Sequence, residues 1–183
     1  MGHAGVSPDT IEAAVRGERP AVEALVQAYL PRVYGLALRL TRRQELAEEA
    51  TQETFVRALR ALPNLRGAER LTSWLLTITA NTVREQARKA HRMDPLEIEP
   101  PTIDAREDDA AAARAKALER AVAELPGEER ELFLLHTIEG VGLRDLAEER
   151  SSTVPALKSR LHRIRAKLRL SALVHLESAG VTP

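Results

Sequence analysis

The sequence predicts an all-α protein of two small helical domains joined by a flexible acidic linker, the second domain containing a helix-turn-helix. Apolar residues recur at spacings of three and four along most of the chain, and strand-like alternation does not persist anywhere. One acidic stretch with three prolines interrupts this periodicity and separates two helical halves. The 183 residues are enough for two small domains or one medium one, and the interruption favours two.

The composition excludes several classes of protein. With 30% charged and 44% hydrophobic residues, the chain is expected to be soluble and globular rather than disordered. Its apolar runs are too short to cross a bilayer, and its first five residues lack the features of a signal peptide, so we expect a cytoplasmic protein without membrane insertion. There is no cysteine, and the five histidines are scattered without metal-ligand spacing. No metal site and no cofactor are therefore expected.

The first domain is predicted over residues 9–93, with four helices. Asp9 and Glu12 fit a capping box for a short first helix. The second helix begins near Pro20, and Pro31 should kink or split it.

The third and fourth helices are predicted over residues 44–62 and 74–92, with a loop between them. Ser73 is expected to cap the fourth helix. The core face of the third helix is predicted to consist of Phe55, Ala58, Leu59 and Leu62.

The linker is predicted over residues 94–109 and the second domain over 110–177. The helices of the second domain should cover residues 110–125, 128–138, 143–150 and 154–177.

The distribution of charge is more informative than its balance, since 27 basic residues match 27 acidic ones. Basic residues cluster at the end of the fourth helix and along the last helix, whereas acidic residues fill the linker. This sorting predicts two surfaces that bind a polyanion, separated by an acidic connector.

The end of the chain has the pattern of a helix-turn-helix. A short helix, a polar turn at Ser151 and Ser152, and a cap at Thr153 precede a long helix with a basic run. Lys158 and Arg163 lie on one face of that helix, where they suit phosphates and bases. A basic face can also be merely solvated, but the preceding helix and turn favour DNA binding.

Two further helices carry unusual polar residues. Asn81 has poor helix propensity, and with the basic cluster after it could contact a nucleic-acid strand and unstacked bases, whereas Trp74 alone is more typical of a core. The third helix has an acidic face around Gln52, which is either solvated or bound to a basic partner.

Four segments in this order resemble the extracytoplasmic-function sigma factors, a group of bacterial transcription-initiation factors. Residues 51–58 (TQETFVRA) resemble their polymerase-binding signature, and residues 71–81 (LTSWLLTITAN) their promoter-melting helix. Residues 125–130 (LPGEER) and 157–163 (LKSRLHR) resemble the helices of their fourth domain. The likeness extends over about residues 9–170.

The resemblance implies a factor that binds core RNA polymerase, through the coiled coil of its largest subunit and its flap, and directs it to promoters. Polymerase binding would use Glu45, Glu48, Glu49, Gln52, Glu53, Phe55 and Arg57. Recognition and melting of the minus-ten element would use Asn64, Arg66, Arg70, Trp74, Asn81, Arg84, Arg88, Lys89 and Arg92. Recognition of the minus-thirty-five element would use Thr153, Lys158, Ser159, Arg160, His162, Arg163, Arg165 and Lys167. Members of this family are commonly inhibited by an anti-sigma factor.

The turn of the helix-turn-helix departs from the family pattern. The family usually has leucine, glycine and an aliphatic residue where this chain has Arg150, Ser151 and Ser152. The turn therefore lacks both the residue best suited to a positive φ and an apolar anchor.

Two other functions compete with this interpretation. A stand-alone helix-turn-helix repressor would leave Gln52, Glu53 and Asn81 without a purpose. An enzyme is disfavoured because the sequence has no glycine-rich phosphate loop and no nucleophile elbow, and because one acidic helix face does not make an acid/base pair.

Overall fold

The computed structural model describes residues 6–65, 67–93 and 110–179, with side chains up to residue 89 and from residue 111 onwards. Every regular element in these ranges is helical, which confirms the predicted all-α class. The chain divides into two compact units, Met1–Ile98 (unit 1) and Glu99–Pro183 (unit 2). The predicted linker at 94–109 lies outside the described residues. No described helix is both long enough and apolar enough to span a bilayer.

Unit 1 is built from four α-helices packed around buried apolar residues, which include one cluster around Leu25 and another around Ala47. They are α1 (Pro8–Val15), α2 (Arg19–Thr41), α3 (Gln44–Ala61) and α4 (Leu71–Met93), with two 3-10 turns, Leu62–Asn64 and Ala68–Arg70, between α3 and α4. Helix α2 packs against each of the other three, and α3 packs against α4. The core therefore fixes the relative positions of the two helices that carry the predicted functional residues of this half.

Three expectations for unit 1 are wrong in detail. The cap of α1 is Ser7, whose Oγ accepts from the Thr10 amide at 3.2 Å, so Asp9 lies inside the helix. Helix α2 is not split at Pro31 but continues to Thr41, because the residues that follow bury an apolar face that outweighs one lost backbone hydrogen bond; the alternative of a kink at Pro31 stays a prediction. Ser73 does not cap α4, which begins at Leu71; its hydroxyl donates to the Arg70 carbonyl.

Unit 2 consists of α5 (Ala110–Glu124), α6 (Gly127–Phe133), α7 (Leu143–Glu149) and α8 (Val154–Ser178). Helix α6 passes directly into one π-helical turn, Leu134–Ile138, which ends where the Glu139 amide donates to the Leu134 carbonyl at 2.9 Å. Helices α5, α6 and α7 all pack against α8. The buried residues of α8 form its inner face: Leu157, Leu161, Ile164, Leu168 and Leu176.

Candidate functional site

The outward face of α3 forms what we call the acidic surface. It consists of Glu45, Glu48, Glu49, Gln52 and Glu53, all of them exposed except the half-buried Glu53. The opposite face of α3 is buried and includes Ala47, Ala50 and Ala58, small residues that allow close packing inside unit 1. Because like charges on one helix face repel each other weakly, a basic partner would stabilise this arrangement.

The apolar residues of α3 divide differently from the prediction. Phe55 is only 8% exposed and belongs to the core, so its side chain is not part of the acidic surface. Leu59, predicted for the core, is 36% exposed, and Val56 is 43% exposed. Val56 and Leu59 follow Gln52 by four and seven residues and extend its face. That spacing was the signal in the sequence for an apolar extension of the acidic surface.

Arg57 joins α3 to α4. Its Nε donates to Glu53 Oε1 and its Nη1 donates to Glu85 Oε2 of α4, both at 2.7 Å. The hydrogen bond from Arg57 lowers the pKa of Glu53, and the positive charges of Arg57, Arg60 and Lys89 lower it further. The hydrogen bonds to the two carboxylates raise the pKa of Arg57. Arg57 is thus engaged within unit 1, although the sequence placed it among the polymerase contacts.

The outward face of α4 forms a second surface, which we call the α4 surface. It contains Trp74, Asn81, Arg84, Arg88 and Lys89. Asn81 Oδ1 accepts a hydrogen bond from Arg84 Nη1 at 2.7 Å, which orients both side chains one turn apart. Arg88 and Lys89 are exposed, whereas Trp74 is half-buried and packs against the core. Trp74 can therefore present only part of its ring to a ligand.

The loop between α3 and α4 presents Asn64 and Arg70, which are both exposed. Gly67 has a φ of 85°, a value that favours glycine, between the two 3-10 turns. Helix α1 contacts both turns, a support that the sequence did not predict. Arg66 and the side chain of Arg92 lie outside the described residues.

The turn between α7 and α8 has the hydrogen bonds of a Schellman motif. The Ser152 amide donates to the Ala147 carbonyl at 2.8 Å, and the Ser151 amide donates to the Glu148 carbonyl at 3.3 Å. Ser151 has a φ of 47°, so serine occupies the left-handed position that glycine usually takes. The predicted absence of a specialised residue therefore does not prevent the turn from forming.

A buried ion pair is found at this turn, which lacks the apolar anchor that the family usually has. Arg150 Nη2 lies 2.5 Å from Glu131 Oε1 of α6, and the two side chains are only 13% and 8% exposed. The pair links the end of α7 to α6 and so fixes the start of the turn. Sequence reasoning missed it, because the two residues are nineteen positions apart in different elements.

The outward face of α8 forms a third surface, which we call the α8 surface. It comprises Lys158, Ser159, Arg160, His162, Arg163, Arg165 and Lys167, all exposed, after the cap at Thr153. Thr153 Oγ1 accepts from the Ala156 amide at 3.3 Å, which confirms the predicted cap. Lys167 is paired with Glu129 of α6 at 2.8 Å. Within the described ranges, Lys158 and Arg163 have no acidic partner.

Comparison with known proteins assigns both halves of the chain. Residues 25–93 match the family model of Sigma-70 region 2, and residues 115–168 match that of Sigma-70, region 4. The RNA polymerase sigma factor CarQ of Myxococcus xanthus is 30% identical over 156 residues, covering 84% of this chain and 90% of CarQ. The ECF RNA polymerase sigma factor SigM of Mycobacterium tuberculosis is 30% identical over 168 residues, covering 91% of this chain and 84% of SigM. The chain belongs to the ECF sigma factors.

Two solved structures share the fold of this sigma factor. One is the sigma factor RpoE of Bartonella quintana in complex with the anti-sigma factor NepR, with a TM-score of 0.69 and 24% identity over 81% of this chain and 94% of that chain. The other is CnrH in complex with the cytosolic domain of CnrY, with a TM-score of 0.61 and 23% identity over 88% of this chain and 94% of that chain.

The family assignment decides between the competing functions. This sigma factor is a transcription-initiation factor that acts with RNA polymerase at promoters, and the match to region 2 as well as region 4 favours that function over a stand-alone repressor. Among the described residues, no group of three His, Asp or Glu side chains could hold a metal ion.

Proposed function

We propose that each of the three surfaces binds a different partner during transcription initiation. The acidic surface docks on core polymerase, the α4 surface holds the separated strand of the minus-ten element, and the α8 surface recognises the minus-thirty-five element as duplex. The observation that carries this proposal is the separation of charge: an acidic face on α3, and basic faces on α4 and α8. The working domains are residues 9–93 and 110–177, joined by the linker at 94–109.

Docking on polymerase rests on complementary charge. The exposed carboxylates around Gln52 suit the basic coiled coil of the largest polymerase subunit, and Val56 and Leu59 add an apolar contact at one end. Phe55 supports this surface from the core. The flap of polymerase is the expected contact of the second domain.

Promoter opening uses the loop and α4 together. Asn64, Arg66 and Arg70 capture a flipped base, while Asn81 and Arg84, with Arg88, Lys89 and Arg92 after them, contact the separated strand. Binding of the flipped base offsets an unstacking cost of about a few kcal/mol, so opening needs no ATP.

Duplex recognition uses the first turns of α8. Lys158 and Arg163 are exposed and free to bind phosphates or base edges, and Ser159 and His162 lie between them. Arg160, Arg165 and Lys167 lie on the flanks of this face and suit the phosphate backbone. Lys167 would have to exchange Glu129 for a phosphate.

Regulation by a partner protein is part of the proposal. Both solved structures of similar fold contain a protein partner, and NepR is named an anti-sigma factor. We propose that an anti-sigma factor also inhibits this chain. We further propose that the chain acts in the cytoplasm, without a cofactor and without catalysing a reaction itself.

Two double variants test whether the acidic surface and the α8 surface have different partners. Each variant is measured in the same two assays, binding to core polymerase and binding to duplex DNA. Glu49→Lys with Glu53→Lys should weaken binding to core polymerase, because it places cations against a basic partner, while binding to duplex DNA stays intact. Lys158→Ala with Arg163→Ala should have the opposite pattern. It should also reduce the slope of log affinity against log salt by about 2, since two phosphate contacts are lost. Fragmented genomic DNA serves as the duplex, and core polymerase freed of sigma factors as the protein partner.

The crossed design identifies which surface has been misassigned. Unchanged polymerase affinity in the first variant would remove the acidic surface from the dock. An unchanged salt slope in the second would remove α8 from the DNA interface. Transcription start sites on the same DNA, mapped with the unaltered chain and core polymerase, should be new and discrete.

A further inference from the structure

The α4 surface contains an acidic residue that opposes its proposed role. Glu85 lies four residues after Asn81 and four before Lys89, so it shares their face of the helix. Glu85 is exposed. A carboxylate in this position would repel the phosphates of a strand that follows α4.

Arg57 approaches Glu85 from the neighbouring helix. The Arg57 Nη1 to Glu85 Oε2 distance of 2.7 Å places a positive charge directly on the carboxylate. Glu53, one turn before Arg57 on α3, accepts from its Nε at the same distance and so fixes the direction of the guanidinium. The planar guanidinium uses two different nitrogens for the two carboxylates, a geometry that a lysine ammonium does not reproduce.

We infer that Arg57 belongs functionally to the strand-binding surface of α4, as a positioning residue that neutralises Glu85, and that it does not contact polymerase. In this arrangement Glu53 serves two surfaces, because one oxygen holds Arg57 while the carboxylate also contributes to the acidic surface. The inference rests on the proposed strand-binding role of α4.

Removing Arg57 should weaken strand binding below that of the unaltered chain only while Glu85 keeps its charge. An unneutralised carboxylate close to the phosphates should lower single-strand affinity about fivefold at low salt. Glu85→Gln alone should raise single-strand affinity, because the charge of Arg57 is then no longer cancelled, and the double variant should return to the affinity of the unaltered chain. The restored affinity of the double variant is therefore the observation that identifies the role of Arg57.

The experiment uses the full chain with Arg57→Gln, Glu85→Gln or both. The probes are a labelled random-sequence single-stranded oligonucleotide and, in a second assay, core polymerase. Arg57→Gln should lose about fivefold in single-strand affinity. Adding Glu85→Gln should restore it, and polymerase affinity should stay within about twofold for all three variants. Arg19→Gln is the matched control, because it removes another i,i+4 pair, with Glu23, from the surface of unit 1.

Each other result overturns the inference in a distinguishable way. A loss of polymerase affinity in Arg57→Gln that Glu85→Gln does not restore would return Arg57 to the polymerase dock. Equal single-strand affinity in all variants would show that Glu85 does not face the strand. Arg88→Ala provides the reference for the proposed function: if it also leaves single-strand affinity unchanged, the strand-binding role of α4 fails, and this inference with it.

Discussion

The Arg57 ion pairs of unit 1 and the buried Arg150 ion pair of unit 2 serve different purposes. In unit 1 the cation Arg57 lies among the proposed functional residues and binds both Glu53 of the acidic surface and Glu85 of α4. In unit 2 the cation of the buried pair, Arg150, is not part of the α8 surface and connects the end of α7 to Glu131 of α6. Unit 1 presents an acidic surface on α3 and a basic surface on α4. Because these helices pack against each other, Arg57 of α3 reaches Glu85 of α4. The α8 surface carries charge of one sign only.

This difference predicts that unit 2 depends on its ion pair for stability more than unit 1 does. Helices α6 and α7 have seven residues each, too short to be stable alone. Their stability comes from packing on α8 and from the contact between Glu131 and Arg150. The Arg57 ion pairs of unit 1 are half-exposed. One lies within α3 and the other joins α3 to α4, two long helices that already pack against each other. Exposed pairs of that kind contribute little.

The largest effect should follow from breaking the buried pair. Arg150→Leu removes the cation that lies 2.5 Å from the buried Glu131 carboxylate, and we expect the free energy of unfolding of unit 2 to fall by about 3 kcal/mol. Hydrogen exchange of the amides in residues 127–150 measures this change separately from unit 1. Adding Glu131→Leu should recover most of the loss, because an apolar pair can replace a buried ion pair. If Arg150→Leu does not lower the free energy of unfolding of unit 2, the Arg150–Glu131 pair contributes as little to stability as the exposed ion pairs of unit 1.

A smaller effect of opposite sign is expected at the turn itself. Ser151 has a φ of 47°, a conformation that is strained for residues with a Cβ. Ser151→Gly should stabilise unit 2 by about 0.5–1 kcal/mol, since relief of this strain exceeds the entropy that glycine adds to the unfolded chain. The same hydrogen-exchange measurement applies. A decrease in stability would mean that the Schellman hydrogen bonds, and not the φ value, limit this turn.

The sequence was sufficient where local signals determine the structure. The start of α3 at Gln44 and the start of α8 at Val154 agree with prediction, because apolar periodicity and a Thr153 cap are local features. Contacts between side chains of different helices could not be predicted from local signals in the same way. Arg57 and Glu85 are 28 residues apart, and their pairing depends on how α3 packs against α4.

The apolar residues of α3 illustrate the same limit at the candidate site. Helical spacing places Phe55 and Leu59 within 40° of each other on the helix, and nothing local in the sequence says where the core ends. Packing decides that Phe55 is buried while Leu59 is on the surface with Val56. The charged residues of the acidic and α8 surfaces were easier to predict, because long charged side chains are seldom fully buried.

The smallest effect concerns the pH dependence of unit 1. The pKa of Glu53 is lowered, mainly by its hydrogen bond from Arg57, below the usual value of 4.5. A lowered pKa in the folded state means that the pair stabilises unit 1 fully above pH 4.5 and loses this contribution as the pH falls through the folded-state pKa. Fluorescence of Trp74, the single tryptophan, should therefore show Glu53→Gln melting slightly below the unaltered chain at pH 7, with the difference closing in acid. A difference that stays constant across this range would mean that Glu53 supports α3 by packing rather than by charge.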